Sequence, residues 1–314
     1  MELGSQNINS FHLAGIVPVA GQKLDFNFPW HDSLQPIAAN YLAVERAVVE
    51  CAYAGCETIW IVCHDNMQPL IRYRLGDYVQ DPTKLTNTFC WNSSEHRKTI
   101  PIFYVPIHPK DQDKRDCLAW SILYGANSAY WINLKISKWT IPSKYYVAFP
   151  YGVYQPWVVK EHRKKISSKN RFFLSYNNKT IKNGEYLGFT FDGNDFKKFR
   201  NIVRKQGTGE KIPVKQAKIF KTLDNKNKIP IERLPIDQRW SARFFTLEEI
   251  FKSIETECAT IADIKWYYNI DNWEKLCHYL GSEESKIVKR PSKHVLSYRE
   301  YSKIGEDNGD CEQI

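Results

Sequence analysis

Val19-Ala20-Gly21-Gln22-Lys23 closes a short apolar run and opens a polar loop that ends at Pro36-Ile37. That layout suits a nucleotide held over the end of a strand, although the loop has a single glycine where phosphate-binding loops often have two or three. His108, Lys110, Lys114 and Arg115 follow another apolar run. Basic residues beside a helix N-terminus can hold phosphate, and here Asp111, Asp113 and Asp116 dilute their charge. Asp25, His31 and Asp32 crowd the first loop, either as metal ligands or as ordinary loop polar residues. His64-Asp65 ends a second apolar run; it either touches a base or ribose, or Asp65 caps the helix that follows. Asp192 and Asp195 offer a metal loop or a turn with a helix cap, and the intervening Gly193-Asn194 favours the turn. Cys63 and His64 are neighbours on a strand and point to opposite faces, so Cys-His nucleophilic catalysis finds no support.

The elements that must position these residues alternate cleanly over the first half. Buried-strand patterns at 11–19, 57–64, 99–107 and 144–154 are separated by helical patterns at 39–55, 67–79 and 114–130. Gly55 makes a natural C-terminal stop for the first helix. Strands alternating with helices of this length imply right-handed βαβ units and a mainly parallel sheet. Ligands of such sheets bind beyond the carboxyl ends of the strands, which gathers 20–37, 64–69, 108–115 and 149–156 around one cleft. After 155 the pattern becomes β-rich: strands at 171–178 and 185–193, a helix at 194–207, and a basic stretch at 208–243 with little periodicity. A capping box (Thr246, Glu249) opens a helix at 245–255; a last strand spans 264–270 and a last helix 271–281. This organisation reads as a nucleotide-binding α/β half (1–155), a β-rich half completing the same domain (156–281), and a polar tail (282–314) whose end frays.

The totals agree with a packed soluble protein. Of 314 residues, 43% are hydrophobic and 14% aromatic, which excludes wholesale disorder. No apolar run approaches the roughly 20 residues needed to span a bilayer, and the N-terminus lacks the features of a signal peptide, so a cytoplasmic protein without a membrane partner is expected. Of eight cysteines, Cys51, Cys56, Cys63, Cys117, Cys258 and Cys277 sit in apolar patterns as small hydrophobes, and no pair has C-x-x-C spacing. The net charge is +9, with basic clusters at 159–171 and 197–228. Such a surface attracts phosphates, nucleic acid or an acidic protein partner, unless it is simply solvated. The aromatic residues among the basic ones (Trp139, Tyr145, Tyr146, Trp157, Phe172, Phe173) could stack on bases, and core packing explains them more simply.

The order of these pieces resembles the sugar-phosphate nucleotidyltransferases (nucleotide-sugar pyrophosphorylases), whose fold is that of the type-A glycosyltransferases. Four passages carry the resemblance: Val19-Ala20-Gly21-Gln22-Lys23-Leu24 with Ser33-Leu34-Gln35-Pro36-Ile37; the helix with Val44-Glu45-Arg46-Ala47-Val48; Ala54-Gly55-Cys56-Glu57-Thr58-Ile59; and Asn269-Ile270-Asp271-Asn272-Trp273-Glu274-Lys275-Leu276 near the end. They span about 13–150 and 264–281. The family reaction is attack by a sugar phosphate on the α-phosphorus of a nucleoside triphosphate, with release of pyrophosphate. The resemblance implies a nucleotide or nucleotide sugar held at Ala20, Gly21 and Gln22, and the basic residues His108, Lys110 and Arg115, by their place beside a helix N-terminus, are expected on phosphate. It implies Lys23 as the charge on the leaving group and Asp271 as a ligand of Mg2+.

Departures from the family pattern fall on the chemistry. Lys23 stands where the family has an Arg and so loses the bidentate fork. His31-Asp32 falls near the family's Pro-Lys, where a carboxylate repels phosphate unless it binds a metal. The turn Phe149-Pro150-Tyr151-Gly152 has no carboxylate where a metal-binding Asp is expected, and Asn269 aligns with the closing Asp. Two functions follow. Either the protein transfers a nucleotidyl group to a sugar phosphate, or the fold has lost catalysis and serves as a binding or structural subunit for a protein or nucleic acid.

Overall fold

The computed structural model describes residues 11–21, 27–83, 99–108, 111, 117–136, 141–209, 245–291 and 295–296. Its strands are β1 Leu13–Pro18, β2 Pro36–Ala38, β3 Tyr41–Leu42, β4 Thr58–Cys63, β5 Tyr78–Gln80, β6 Thr99–Pro106, β7 Lys144–Val147, β8 Gly152–Val153, β9 Phe172–Ser175, β10 Phe189–Asp192, β11 Thr260–Asp263 and β12 Tyr268–Asn269. The helices are α1 Ala43–Ala54, α2 Gln68–Leu75, α3 Leu118–Ile136, α4 Val158–Glu161, α5 Arg163–Ile166, α6 Gly193–Gly209, α7 Leu247–Phe251, α8 Trp273–Leu280 and α9 Glu283–Ile287.

Eight strands form one sheet in the order β11-β9-β10-β7-β1-β4-β6-β5. β7, β1, β4 and β6 run parallel; β10 runs antiparallel to its neighbours, as does β5 to β6. The sheet is thus mixed but mainly parallel, and β9, β10 and β11 from the second half extend the sheet begun by the first. Every residue of β1 (LAGIVP) and β4 (TIWIVC) is buried, as expected of central strands covered on both faces. One face packs on α1 and α8, the other on α3, α6 and α7, giving the three-layer α/β architecture that the alternating pattern implies.

α1 is enclosed almost all round. Glu45 closes its first turn by accepting from the Leu42 N–H at 2.8 Å, and Gly55 ends it in the left-handed conformation, φ 90°. Three charged residues of α1, Glu45, Arg46 and Glu50, are fully buried; they matter below.

Several elements differ from the sequence reading. The helix foreseen at 67–79 stops at Leu75, because Gly76 takes φ 77° and turns the chain into the edge strand β5. The strand foreseen at 144–154 is two: β7 leaves the sheet after Val147, and β8 pairs instead with β12 in a separate ribbon. Pro150 between them cannot donate a ladder hydrogen bond. Of the strand foreseen at 264–270 only Tyr268–Asn269 forms. The edge strand β11 was not foreseen, since Thr-Ile-Ala-Asp carries a weak period-two signal. The strand foreseen at 185–193 shortens to Phe189–Asp192, and that at 171–178 ends at Ser175, before a turn at Asn177-Asn178. Beyond 282 the chain is not all tail: α9 forms, Val288 is buried, and Leu296 bridges to Val79 of β5. Residues 305–314, expected to fray, lie outside the described residues. Cys258 and Cys277, expected to be buried, are exposed; Cys51, Cys56, Cys63 and Cys117 are buried.

Lys144 opens β7 as a buried ammonium. Its Nζ donates to the carbonyls of Ile166 at 2.9 Å, Ser168 at 3.1 Å and Asn170 at 2.5 Å, tying the 166–170 turn to the sheet. Burial pulls its pKa down to about 8, against the opposing pull of Asp192. A base depressed in the folded state is a cost at low pH. The unfolded chain holds that proton up to about 10.5 and the folded one only to about 8, so stability should rise with pH between those values. The whole rise is on the order of 3 kcal/mol. Urea unfolding between pH 7 and 10.5 should show it, and Lys144→Met should flatten the slope. An unchanged slope in the variant would refute the assignment.

Candidate functional site at the strand ends

Four segments meet beyond the carboxyl ends of β1, β4 and β7. Val19 and Ala20 turn back over β4, both donating their N–H groups to the Val62 carbonyl at 2.9 and 3.0 Å. The Ala20 carbonyl accepts from Ser121 Oγ of α3 at 2.6 Å. Gly21 follows at φ 87°, against the main chain of Cys117. The backbone N–H of Ala20, expected to meet phosphate, is therefore spent inside the protein. Gly21 makes its close approach to the start of α3 and so sets where the loop leaves the sheet.

The second segment is a single 3-10 turn, Asp32–Leu34. Asp32 is only 1% exposed. Its Oδ1 accepts from the Ser33 N–H at 2.8 Å and lies 3.0 Å from His31 Nδ1. Tyr151 Oη is 3.4 Å from the same oxygen and donates at 2.8 Å to the Val19 carbonyl. Asp32 thus faces the interior, where it does not present the repulsive charge to phosphate that its place in the sequence implied. Its Oδ2 is buried with no hydrogen-bond partner among the described residues.

The third and fourth segments are the turn after β7 and the closing strand-helix. Asn269 pairs with Gly152 across the β8–β12 ribbon, and the Ile270 N–H donates to the Tyr151 carbonyl at 2.8 Å. Asp271 lies beside them, but both its oxygens are taken: Lys275 Nζ is 2.7 Å from Oδ1 and Asn269 Nδ2 is 3.2 Å from Oδ2. Phe28 of the first loop packs edge-on against Trp273, centroids 5.9 Å apart, so the opening loop and the closing helix touch.

Beneath this rim is a buried ionic cluster. Arg46 Nη1 bonds Glu50 Oε2 at 2.8 Å, and its Nη2 donates to the Phe149 carbonyl at 2.5 Å. Glu50 Oε1 accepts from both Tyr146 Oη and Tyr154 Oη at 2.6 Å. The Arg46 guanidinium lies 4.5 Å from the Tyr154 ring centroid. Burial raises the phenol pKa of Tyr146 and Tyr154, and the Glu50 charge adds to it, so both stay protonated donors. Sequence reading took α1 for its apolar stripe alone. The signal it missed was an Arg and a Glu four apart in a largely apolar helix, the spacing of a face-to-face pair. Tyr151 was read only as part of the 149–156 segment at the sheet edge; nothing local signalled its hydrogen bonds.

Of the other candidate residues, His108 is exposed at the rim and its carbonyl closes a turn with the Asp111 N–H at 2.7 Å. Gln22, Lys23, Lys110 and Arg115 lie outside the described residues, as do Asp25 and Trp139. Asp65 is exposed, and α2 begins without a side-chain cap. Asp192 accepts from the N–H groups of Asn194 and Asp195 at 2.8 and 2.9 Å, and Asp195 takes a bidentate bond from Arg171, both at 2.8 Å. That pair is a helix cap and an ion pair. Tyr145, Tyr146, Phe172 and Phe173 are core residues, whereas Trp157 is half exposed. Basic residues of the second half are partly consumed internally: Arg163 by Asp81 and Thr83, Arg171 by Asp195, Lys198 by Glu255.

Among the described residues the donor set does not fit a Mg2+ held by protein ligands alone. Among the described residues no group of three or more His, Cys, Asp or Glu is placed to hold a metal. Asp271 is neutralised by Lys275, and Asp32 offers one buried oxygen. No helix described is long and apolar enough to cross a membrane.

No protein-family model matches the chain, and no curated protein matches its sequence. Solved structures do match. A protein from Bacillus anthracis provisionally assigned as a glucose-1-phosphate thymidylyltransferase, solved with a sucrose, superposes with a TM-score of 0.52 at 10% identity, over 90% of this chain and 98% of that one. A UDP-glucose pyrophosphorylase complexed with UDP-glucose gives 0.46 at 12% identity (86% and 97% covered), and an apo UDP-glucose pyrophosphorylase 0.47 at 13% (88% and 100%). The first of these carries the comparison: the chain shares the α/β fold of a sugar-phosphate nucleotidyltransferase along nearly its whole length.

Proposed function

We propose that the strand-end cleft binds a nucleoside triphosphate or nucleotide sugar and that the protein transfers a nucleotidyl group to a sugar phosphate. The observation that carries this reading is the convergence of 19–21, 31–35, 149–153 and 269–273 at the carboxyl ends of the strands, in the fold that the comparison identifies. In the reaction, an oxygen of the sugar phosphate bonds to the α-phosphorus. The bond from that phosphorus to its β-bridging oxygen breaks, and pyrophosphate leaves with the electron pair. Lys23, and the basic residues His108, Lys110 and Arg115, are proposed to meet the phosphates, supplying the charge stabilisation such a transfer needs. Gly21, at φ 87°, sets the turn from which the chain continues to Gln22 and Lys23 in sequence. Asp271 is proposed to orient Lys275 and the β12 strand end; no step is assigned to a metal.

Thermal shift with nucleoside triphosphates and nucleotide sugars, with and without magnesium, tests binding through linkage. A ligand at about 100 times its Kd should add about 2.7 kcal/mol to stability. No shift with any nucleotide at millimolar concentration would sink the proposal. Where binding is seen, pyrophosphate release with a panel of sugar phosphates tests transfer, and Lys23→Ala should abolish it. Binding without release would leave a nucleotide-binding subunit, the reading that the neutralised Asp271 and the carboxylate-free 149–152 turn favour.

A further inference from the structure

The eight-stranded sheet ends differently on its two sides. At one edge β5 is covered: the Gln80 N–H donates to the Val295 carbonyl at 2.9 Å, and Val79 bridges to Leu296. At the other edge β11 pairs only with β9 among the described residues. The N–H groups of Thr260 and Ile264 turn inward, donating to the Arg171 and Ser175 carbonyls at 2.8 and 2.9 Å. Main-chain groups of successive strand residues face opposite neighbours, so those of Ile261 and Asp263 point away from the sheet. Proteins commonly blunt such an edge with Lys, Pro or a bulge. β11 has no Lys or Pro, its register with β9 is regular, and Ile261 is 56% exposed.

We propose that β11 pairs with β11 of a second copy of this chain, antiparallel about a two-fold axis, so that two sheets become one. The segment is complementary to itself in one register. With Ile261 opposite Ile261 on the axis, the two residues exchange both outward hydrogen bonds and their exposed side chains meet. Asp263 then stands opposite Ala259. Lys265 comes level with Glu257 of the second copy, in the turn that the Ala259 N–H closes on the Thr256 carbonyl at 3.1 Å. Glu257 and Lys265 are exposed, and neither has an ion-pair partner among the described residues. The neighbouring two-fold registers set Asp263 against Ile261, against Asp263 or against Glu257, which strands a charge on an apolar side chain or opposes like charges. A strand of another protein would have no such match, because the complementarity is of the segment with itself. The contact is short, four residues a side, so the association is weak.

Sedimentation equilibrium of the full chain tests the pairing. A monomer–dimer equilibrium with Kd on the order of 10 µM is expected. Ile261→Pro removes only an outward N–H, which an edge strand tolerates, and should raise Kd at least about tenfold. Glu257→Lys and Lys265→Glu, both on the surface, should each weaken the dimer, and the two together should restore it. Under mild oxidation Ile261→Cys should gain a disulfide-linked dimer over the parent chain, because residues facing each other in a hydrogen-bonded pair lie about 5.5 Å apart at Cα, within a disulfide's span. Asp263→Cys, about 14 Å from its copy in this register, should gain none. A chain that stays monomeric at about 300 µM would overturn the proposal. So would a dimer that neither Ile261→Pro nor the single charge reversals weaken, or one that Asp263→Cys links as well as Ile261→Cys does.

Discussion

Glu50→Ala is expected to destabilise the protein by about 3–5 kcal/mol, because it removes one partner of a fully buried ion pair. Glu50 receives three side-chain donors, from Arg46, Tyr146 and Tyr154. Without it both phenols lose their acceptor. Arg46, whose Nε already lacks a hydrogen-bond partner among the described residues, keeps the Phe149 carbonyl and Tyr154 but loses its countercharge. An unpaired guanidinium in that position will draw water into the layer between α1 and the sheet. The lower midpoint should be plain in urea unfolding at constant m-value. Replacing both charges, as Arg46→Met with Glu50→Leu, should cost much less than the sum of the single changes, because no charge is then left stranded. Strict additivity in that cycle would show that the pair does not act as a unit. Arg46 also holds the turn after β7, so Arg46→Met alone should weaken any nucleotide shift as well as stability.

Gly21→Ala is expected to cost about 3–5 kcal/mol, from two causes that add. The residue sits at φ 87°, where an L side chain is strained by about 1–2 kcal/mol. A Cβ there would also stand 2.3 Å from the Cys117 carbonyl carbon and 2.6 Å from its Cα and N, main-chain atoms that cannot swing aside. Gly184→Ala separates the causes, for its φ is 82° but the nearest atom to a Cβ is Glu248 Cβ at 3.9 Å. It should cost only the conformational part. If the two alanine variants unfold at the same denaturant concentration, the close packing of Gly21 on α3 is not what the geometry implies. The nucleotide shift of Gly21→Ala, measured well below its own midpoint, should also fall, since the loop carrying Lys23 would leave the sheet at another angle.

Much of the fold was legible because periodicity is a local property. The apolar runs of β1 and β4, the helical stripe of α1 and the stop at Gly55 specify a parallel α/β sheet before any contact is known. The misread elements are those where local pattern was weak or a single residue overruled it. Gly76 cut α2 short, Pro150 split one apparent strand in two, and the edge strand β11 lacked alternation. The site was less legible. Sequence placed Gly21, Asp32, Tyr151 and Asp271 near one edge of the sheet but could not say what each would touch.

By itself, then, the sequence determined the layer architecture and the mainly parallel order of the central strands. The tertiary structure decided the roles. It turned Asp32 inward against Tyr151, 119 residues away in the chain. It bound the Phe149 carbonyl to Arg46 across 103 residues and closed Asp271 with Lys275 and Asn269. The physical reason is the same in each case. A hydrogen bond or a ring contact is settled by which atoms the folded chain brings within reach, and for partners a hundred residues apart no local spacing records that meeting.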